Sequence, residues 1–360
     1  MEAARPDVHR GQGRAALLGV FTVAALLVGV LVLRGPSRDL EAGVSIGGQI
    51  TDEPVAVAAR DLDRVRRAGA TWVRLDVSWS QVQDGGPDRY DWSRTDAVLK
   101  LARQRGLRVL ALLAYTPPWA RPAGTSPKWA PAPEAYAAFA RRAVERYARL
   151  GIHDWEVWNE PNNDAFWKPR ADPSAYARLL VAGSRAIRAA DPRATVVTGG
   201  LSPAGTVGGD IAPVTFLQGV YRAGARRAFD AVGHHPYSFP AYPEGTDSSN
   251  AWHQMVGTDP SLRSVMKANG DGGKRIWATE YGAPTGGPAG EAVSEGAQAE
   301  AITRALALWR AYPWAGPLFV YSMRDLGTDQ RTREDFFGMV RNDGSPKPAL
   351  RAFSEATGAR

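Results

Sequence analysis

From residue 44 onward the chain alternates between two hydrophobic periods. Short runs rich in Val, Ile, Leu and aromatic residues occupy 45–50, 72–79, 107–115, 153–160, 195–200, 231–237, 275–282 and 317–324, the length and character of buried strands. Amphipathic patterns of helical period fill 53–69, 93–105, 133–150, 173–190, 211–227, 260–269, 293–311 and 346–356. Several open on cap signals, such as DPSAYARLL and SEGAQAEAI, and several close on Gly or Pro. Eight strands, each followed by a helix, predict an α/β fold, the (β/α)8 or TIM barrel. The Gly/Pro-rich stretches 83–88, 121–132, 204–212, 239–250 and 283–292 follow strands in all but one case, which assigns them to the face where such barrels do chemistry.

The first forty residues follow neither period. AALLGVFTVAALLVGVLVL, residues 15–33, is uncharged and apolar on every side, so it has no polar face to turn to water. Nineteen helical residues span about 28 Å, close to the hydrocarbon thickness of a bilayer. Arg5, Arg10 and Arg14 precede the run, and this bias places the N-terminus in the cytoplasm and the rest outside. The expected organisation is a cytoplasmic tail 1–14, a single-pass transmembrane segment 15–33, a linker 34–43 and an extracytoplasmic barrel 44–360. The alternative is secretion after signal cleavage near Ala42, although the apolar run is long for a signal peptide and the cleavage site poor.

Polar residues gather at the carboxyl ends of the predicted strands. Strand two ends with Arg74, Asp76 and Trp79, and strand three with Tyr115 and Trp119. Strand four ends with Asn159 and Glu160, strand six with His234, His235 and Tyr237, strand seven with Glu280 and Tyr281, and strand eight with Tyr321, Arg324 and Asp325. Catalytic residues of barrels come from these ends. Within WEVWNEPN, residues 155–162, Glu156, Trp158 and Glu160 share one face if the strand stays regular. Glu156 then points into the barrel as the partner of a buried basic side chain. If Asn159 and Glu160 both face the mouth, the period of two is broken and a bulge is expected.

Glu160 and Glu280, three strands apart, can face each other across a ligand. Two such carboxyls serve a retaining glycosidase, one as nucleophile and one as proton donor. Trp158 and Pro161 place Glu160 in apolar surroundings, while Arg74, His235 and Tyr237 are donors for an ionised Glu280. The motifs WNEPN and TEYG resemble the retaining glycoside hydrolases of clan A, most like family 39 with some likeness to family 5. VRLDVSWSQVQ, LLAYTPPWA, HHPYSF and FFGMVRNDGSPKPALRAF support the resemblance, which covers roughly residues 45–355. It implies Glu160 as acid/base, Glu280 as nucleophile, Asn159 on the sugar 2-hydroxyl, Tyr237 against the nucleophile and Arg74 orienting it. It also implies a β-linked oligo- or polysaccharide substrate. Strand eight departs from the pattern, with Tyr321 where many clan members carry tryptophan.

Further substrate-binding candidates are Trp79, Tyr115, Trp119, Trp167, His235, Trp252 and Tyr321, the tryptophans because aromatic faces stack on sugar rings. Arg324 and Asp325 either bind an anionic sugar or pair with each other. His234 and His235 point to opposite faces of a strand and make a poor chelate, so no metal and no cofactor is expected. There are no cysteines, which excludes thiol catalysis and disulfides. The net charge of +7 is spread over helix faces mixed with acids, a solvated surface and not a nucleic-acid stripe. Two other readings use the same residues: a transglycosylase, and a non-catalytic carbohydrate-binding barrel.

Overall fold

The computed structural model describes residues 40–359. Eight parallel strands run in sequence order around a closed barrel: β1 (Ala42–Ser45), β2 (Trp72–Ser78), β3 (Arg108–Ala114), β4 (Asp154–Val157), β5 (Thr195–Thr198), β6 (Ala231–His234), β7 (Arg275–Tyr281) and β8 (Ala315–Tyr321), with β8 paired to β1. The principal helices are Val55–Arg67, Ser93–Gln104, Pro133–Tyr147, Pro173–Ala190, Pro213–Arg222, Leu262–Ala268, Glu295–Ala311 and Pro348–Thr357. Asp172 caps one of them by accepting from Ser174 N and Ala175 N, with Pro173 at the first helical position, and Ser294 caps another. Among the described residues no helix is long and apolar enough to cross a membrane. The expected segment 15–33, the tail 1–14 and most of the linker lie outside them.

The first strand begins earlier than its sequence suggests. Only Ser45 of the expected 45–50 lies in the strand: Gly47 takes φ 76°, and Gly48–Thr51 is a 3-10 turn. The ladder instead uses Ala42–Ser45, opposite Trp72–Arg74 and Leu318–Tyr321. Gly43 fits this place because a Cβ there would lie 2.7–2.8 Å from Phe319 and Trp72. β2 and β4 are shorter than expected. Trp79–Val82 is already a helical turn, and the chain leaves the ladder after Val157.

Inward side chains rise in layers along the barrel axis. A floor of Trp72, Leu110, Val197, Ala231, Trp277 and Phe319 is packed separately from the larger core between barrel and helices. Trp72 meets Trp277 edge-on at 5.3 Å. Above this floor the interior becomes polar. On β2 the period of two stacks Trp72, Arg74 and Asp76 on one face, carrying the chain from apolar floor to mouth in five residues.

Candidate active site

The backbone that presents Glu160 is irregular. Trp158 and Glu160 have φ of 71° and 47°, the left-handed region that non-glycine residues seldom enter. The break lets Asn159 and Glu160 both reach the mouth, by two left-handed residues beyond the strand and not by a bulge within it. Neighbouring strands hold the kink: Trp158 N donates to Leu113 O, and Glu160 N to Gly200 O. Gly199 lets the kink approach, since a Cβ there would lie 2.6 Å from the Trp158 carbonyl oxygen. Asn162 fastens the following loop, donating to Ser202 O and Ile211 O and accepting from Ser202 N. Across the barrel, Glu280 lies within a register shift between β7 and β8, a device that re-aims side chains.

One arginine organises the acids. Arg74 Nε donates to Glu156 Oε2 at 2.5 Å, Nη1 to Glu280 Oε1 at 2.6 Å and Nη2 to Asn159 Oδ1 at 2.7 Å. Glu156 is fully buried and also accepts from Gly200 N at 2.9 Å, so its place as partner of a buried base is fixed by contacts. Burial pulls the Arg74 pKa down, and Glu156 and Glu280 more than reverse that, holding the guanidinium protonated. Glu280 takes a second donor, Tyr237 OH, on Oε2 at 2.8 Å. Burial pushes its carboxyl up, and His235, Arg74 and Tyr237 more than reverse that, leaving it below its usual range.

His235 stands between the two glutamates. Its Nδ1 lies 2.8 Å from Glu160 Oε1 and 3.6 Å from Glu280 Oε2. Sequence placed Glu160 in a purely apolar wall and gave His235 to Glu280; the imidazole in fact hydrogen-bonds Glu160. Burial would lower its pKa, yet the two carboxylates raise it above the ordinary histidine value. One ligand atom from each of Glu160, His235 and Glu280 lies within 4.8 Å of the others. These are the atoms that could meet at a metal ion, but Arg74 and Tyr237 already donate to both oxygens of Glu280.

A cavity of about 730 Å³ opens over these groups, lined by Arg74, Tyr115, Asn159, Glu160, Tyr237, Glu280 and Tyr321 among the expected residues. A second concavity of about 710 Å³, bounded by Tyr90, Trp92 and Arg146, involves neither glutamate and lies among helices. Several expected contacts are absent from the catalytic cavity. Trp79 is wholly buried, stacked on Phe139 at 5.4 Å with Nε1 bonded to Gln83, because helix packing begins one residue after β2. Trp252 is buried against Tyr281 and Trp309, and Trp167 against Trp158 and Tyr176. Trp119 is partly exposed, edge-on to Trp79, and donates to Gln83 O. His235 is enclosed behind Glu160. Arg324 pairs with Glu53 and Asp61, and Asp325 with Lys347, so neither expected role for them is met.

Asp76, a strand-end acid in the sequence, also lines the cavity, together with residues that sequence reasoning missed: Lys128, Asn163, Phe166 and Phe337. Lys128 Nζ sits 3.7 Å from the Phe166 ring centroid. These four lie on loops, where no periodicity points inward.

The family model for cellulase, glycosyl hydrolase family 5, matches residues 44–312. The chain belongs to this family. A beta-xylosidase of Geobacillus stearothermophilus is 37% identical over 100 residues, 27% of this chain and 18% of that one. A beta-amylase of Vigna unguiculata is 29% identical over 76 residues, 21% of this chain and 15% of that one. These matched stretches span less than a fifth of either relative. Among solved structures, a family 39 glycoside hydrolase from the gut symbiont Bacteroides cellulosilyticus WH2 superposes with TM-score 0.69 at 23% identity, covering 89% of this chain and 64% of that one. A family 39 enzyme from Xanthomonas axonopodis pv. citri gives 0.66 at 19%, covering 89% and 67%. At these identities the likeness is one of fold, so family 39 is matched in architecture and family 5 in sequence.

Proposed function

We propose that this family 5 chain is a retaining glycoside hydrolase acting on β-linked oligo- or polysaccharides. The observation that carries the reading is the approach of a Glu160 oxygen to within 4.8 Å of a Glu280 oxygen. Retaining enzymes hold their carboxyls about 5–5.5 Å apart, whereas inverting ones leave roughly 6.5–9.5 Å for a water. Glu280, kept ionised by Arg74 and Tyr237, attacks the anomeric carbon. Glu160 gives its proton to the leaving oxygen, then takes one from water that cleaves the glycosyl-enzyme. His235 occupies Oε1 of Glu160, which leaves Oε2 to carry the proton. Asn159, oriented by Arg74, is the donor for the sugar 2-hydroxyl. NMR of the first-formed sugar from a β-aryl glycoside tests this: the β-anomer is expected first. An α-anomer would make the enzyme inverting, and no turnover across aryl glycosides and glycan mixtures would favour a binding barrel.

The reading extends to a tether. The uncharged run 15–33 with its arginine-rich N-terminal flank supports a single-pass anchor and an extracytoplasmic catalytic domain. The full chain is expected to stay with membranes after a high-salt wash, while a chain lacking residues 1–39 is soluble and active. Recovery from cells of a mature soluble chain beginning near Gly43 would replace the anchor by a cleaved signal.

A further inference from the structure

The third inward residue of β2 has no partner. Trp72 belongs to the barrel floor and Arg74 to the ion-pair layer, but Asp76, next on the same face, receives no hydrogen bond from any described group. Its Oδ1 is buried and unsatisfied. Its Oδ2 faces Gly48, whose absent Cβ would lie 3.1 Å away. The donors of Arg74 are taken up by Glu156, Glu280, Asn159 and Ser45, so Asp76 is a third acid around one cation and shares none of its hydrogen bonds. A carboxylate oxygen left in such a place is costly unless a donor arrives. Asp76 lines the cavity beside Glu280, Tyr115 and Tyr321, and the donors a carbohydrate brings there are its ring hydroxyls.

We infer that Asp76 accepts hydrogen bonds from ring hydroxyls of the glycosyl unit attacked at Glu280, and so makes the chain select neutral glycosides over uronides. The inference rests on the glycosidase reading above. A neutral sugar satisfies the orphaned oxygen; a uronide brings another carboxylate into a space already holding Asp76 and Glu280, with Arg74 occupied. Like charges at this range in a partly dry cavity repel strongly. Burial and the neighbouring Glu280 and Glu156 raise the Asp76 carboxyl to about 6, so above that pH the two acids beside the attacked sugar accept its hydroxyls and repel a uronide, while Lys128 and Arg333 line the same cavity; the discrimination is by repulsion as well as by contact.

The test compares 4-nitrophenyl β-glycosides, neutral (xyloside, glucoside, galactoside, mannoside) against glucuronide, on wild type and Asp76→Asn. Wild type is expected to prefer a neutral substrate. In Asp76→Asn its kcat/KM falls about 10- to 100-fold, the scale of one lost charged hydrogen bond, and the neutral-to-uronide ratio falls at least about tenfold. The loss shrinks on the monodeoxy substrate that lacks the contacted hydroxyl. Asp76→Glu keeps the charge but misplaces it, so neutral turnover falls with no relief for the uronide; it also serves if the Asn variant fails to fold. An unchanged ratio in Asp76→Asn, or a wild type that prefers the uronide, overturns the inference and leaves the glycosidase reading intact. A wild type inert on every aryl glycoside overturns both.

Discussion

Glu280→Gly loses turnover of an activated β-aryl glycoside on the order of 10⁴-fold, the scale seen when a covalent nucleophile is removed. Azide then restores product formation as a glycosyl azide of inverted configuration, because the small anion fills the place of the missing carboxylate. Glu280→Gln stays inactive with azide, since the amide still fills the site. Glu160→Ala keeps its first step only for good leaving groups, and azide gives an adduct of unchanged configuration by intercepting the glycosyl-enzyme. NMR of the anomeric configuration of the azides separates the two roles, and exchanged outcomes would exchange them. The wild-type pH profile carries the same assignment. Glu280 is held below its usual value of 4.5, so the nucleophile stays ionised through weakly acidic pH. Protonation of Glu280 itself removes turnover only as pH falls through that depressed value. Removing the Tyr237 donor weakens the preference for the ionised form and moves the acid limb upward.

The parts of this site that were legible in the sequence share a physical cause. Strands buried on both faces announce themselves as apolar runs, and a barrel puts their carboxyl ends in one place, so Arg74, Glu160, Tyr237 and Glu280 could be assembled before any coordinates. Strand one was misread because SIGGQI has the composition of a strand while its glycines demand a turn. Composition is blind to φ. The tryptophans failed for a different reason. Trp79 stands beside the cavity residue Ser78 in sequence, but a one-residue turn into helix at 79 sends the ring to the outer core, where Phe139 stacks on it; Trp252 follows a strand that reaches the cavity, but its ring packs on Tyr281 and Trp309. Nothing in a single sequence distinguishes a ring that stacks on sugar from one that stacks on a neighbouring helix. His235 was placed in the right layer beside Glu280, but its closer hydrogen bond to Glu160 was missed, a matter of side-chain reach and not of topology. Asp76 was visible as a strand-end acid; that it lacks a partner is a property of the surroundings alone.

Arg74→Met is expected to cost about 3–5 kcal/mol of unfolding free energy, the penalty for stripping a buried carboxylate of its counter-charge. Glu156 is the residue left exposed to that penalty, with Gly200 N as its remaining donor. Glu156→Met should cost a similar amount by leaving the guanidinium with Glu280 alone. The double variant Arg74→Met/Glu156→Met should regain much of the loss, since a buried ion pair exchanged for apolar groups of similar volume is often near neutral; a double-mutant cycle by chemical denaturation reads the coupling. Activity should not follow stability. Arg74 also donates to Glu280 and Asn159, so the double variant, however well it folds, still lacks the group that keeps the nucleophile ionised and the 2-hydroxyl donor in line. A double variant that recovers stability and turnover together would mean that Arg74 serves the core alone. Recovery of stability without turnover would show one guanidinium holding the barrel interior together and setting the charge of Glu280, two tasks that the point charge of a lysine could not divide among Glu156, Glu280 and Asn159.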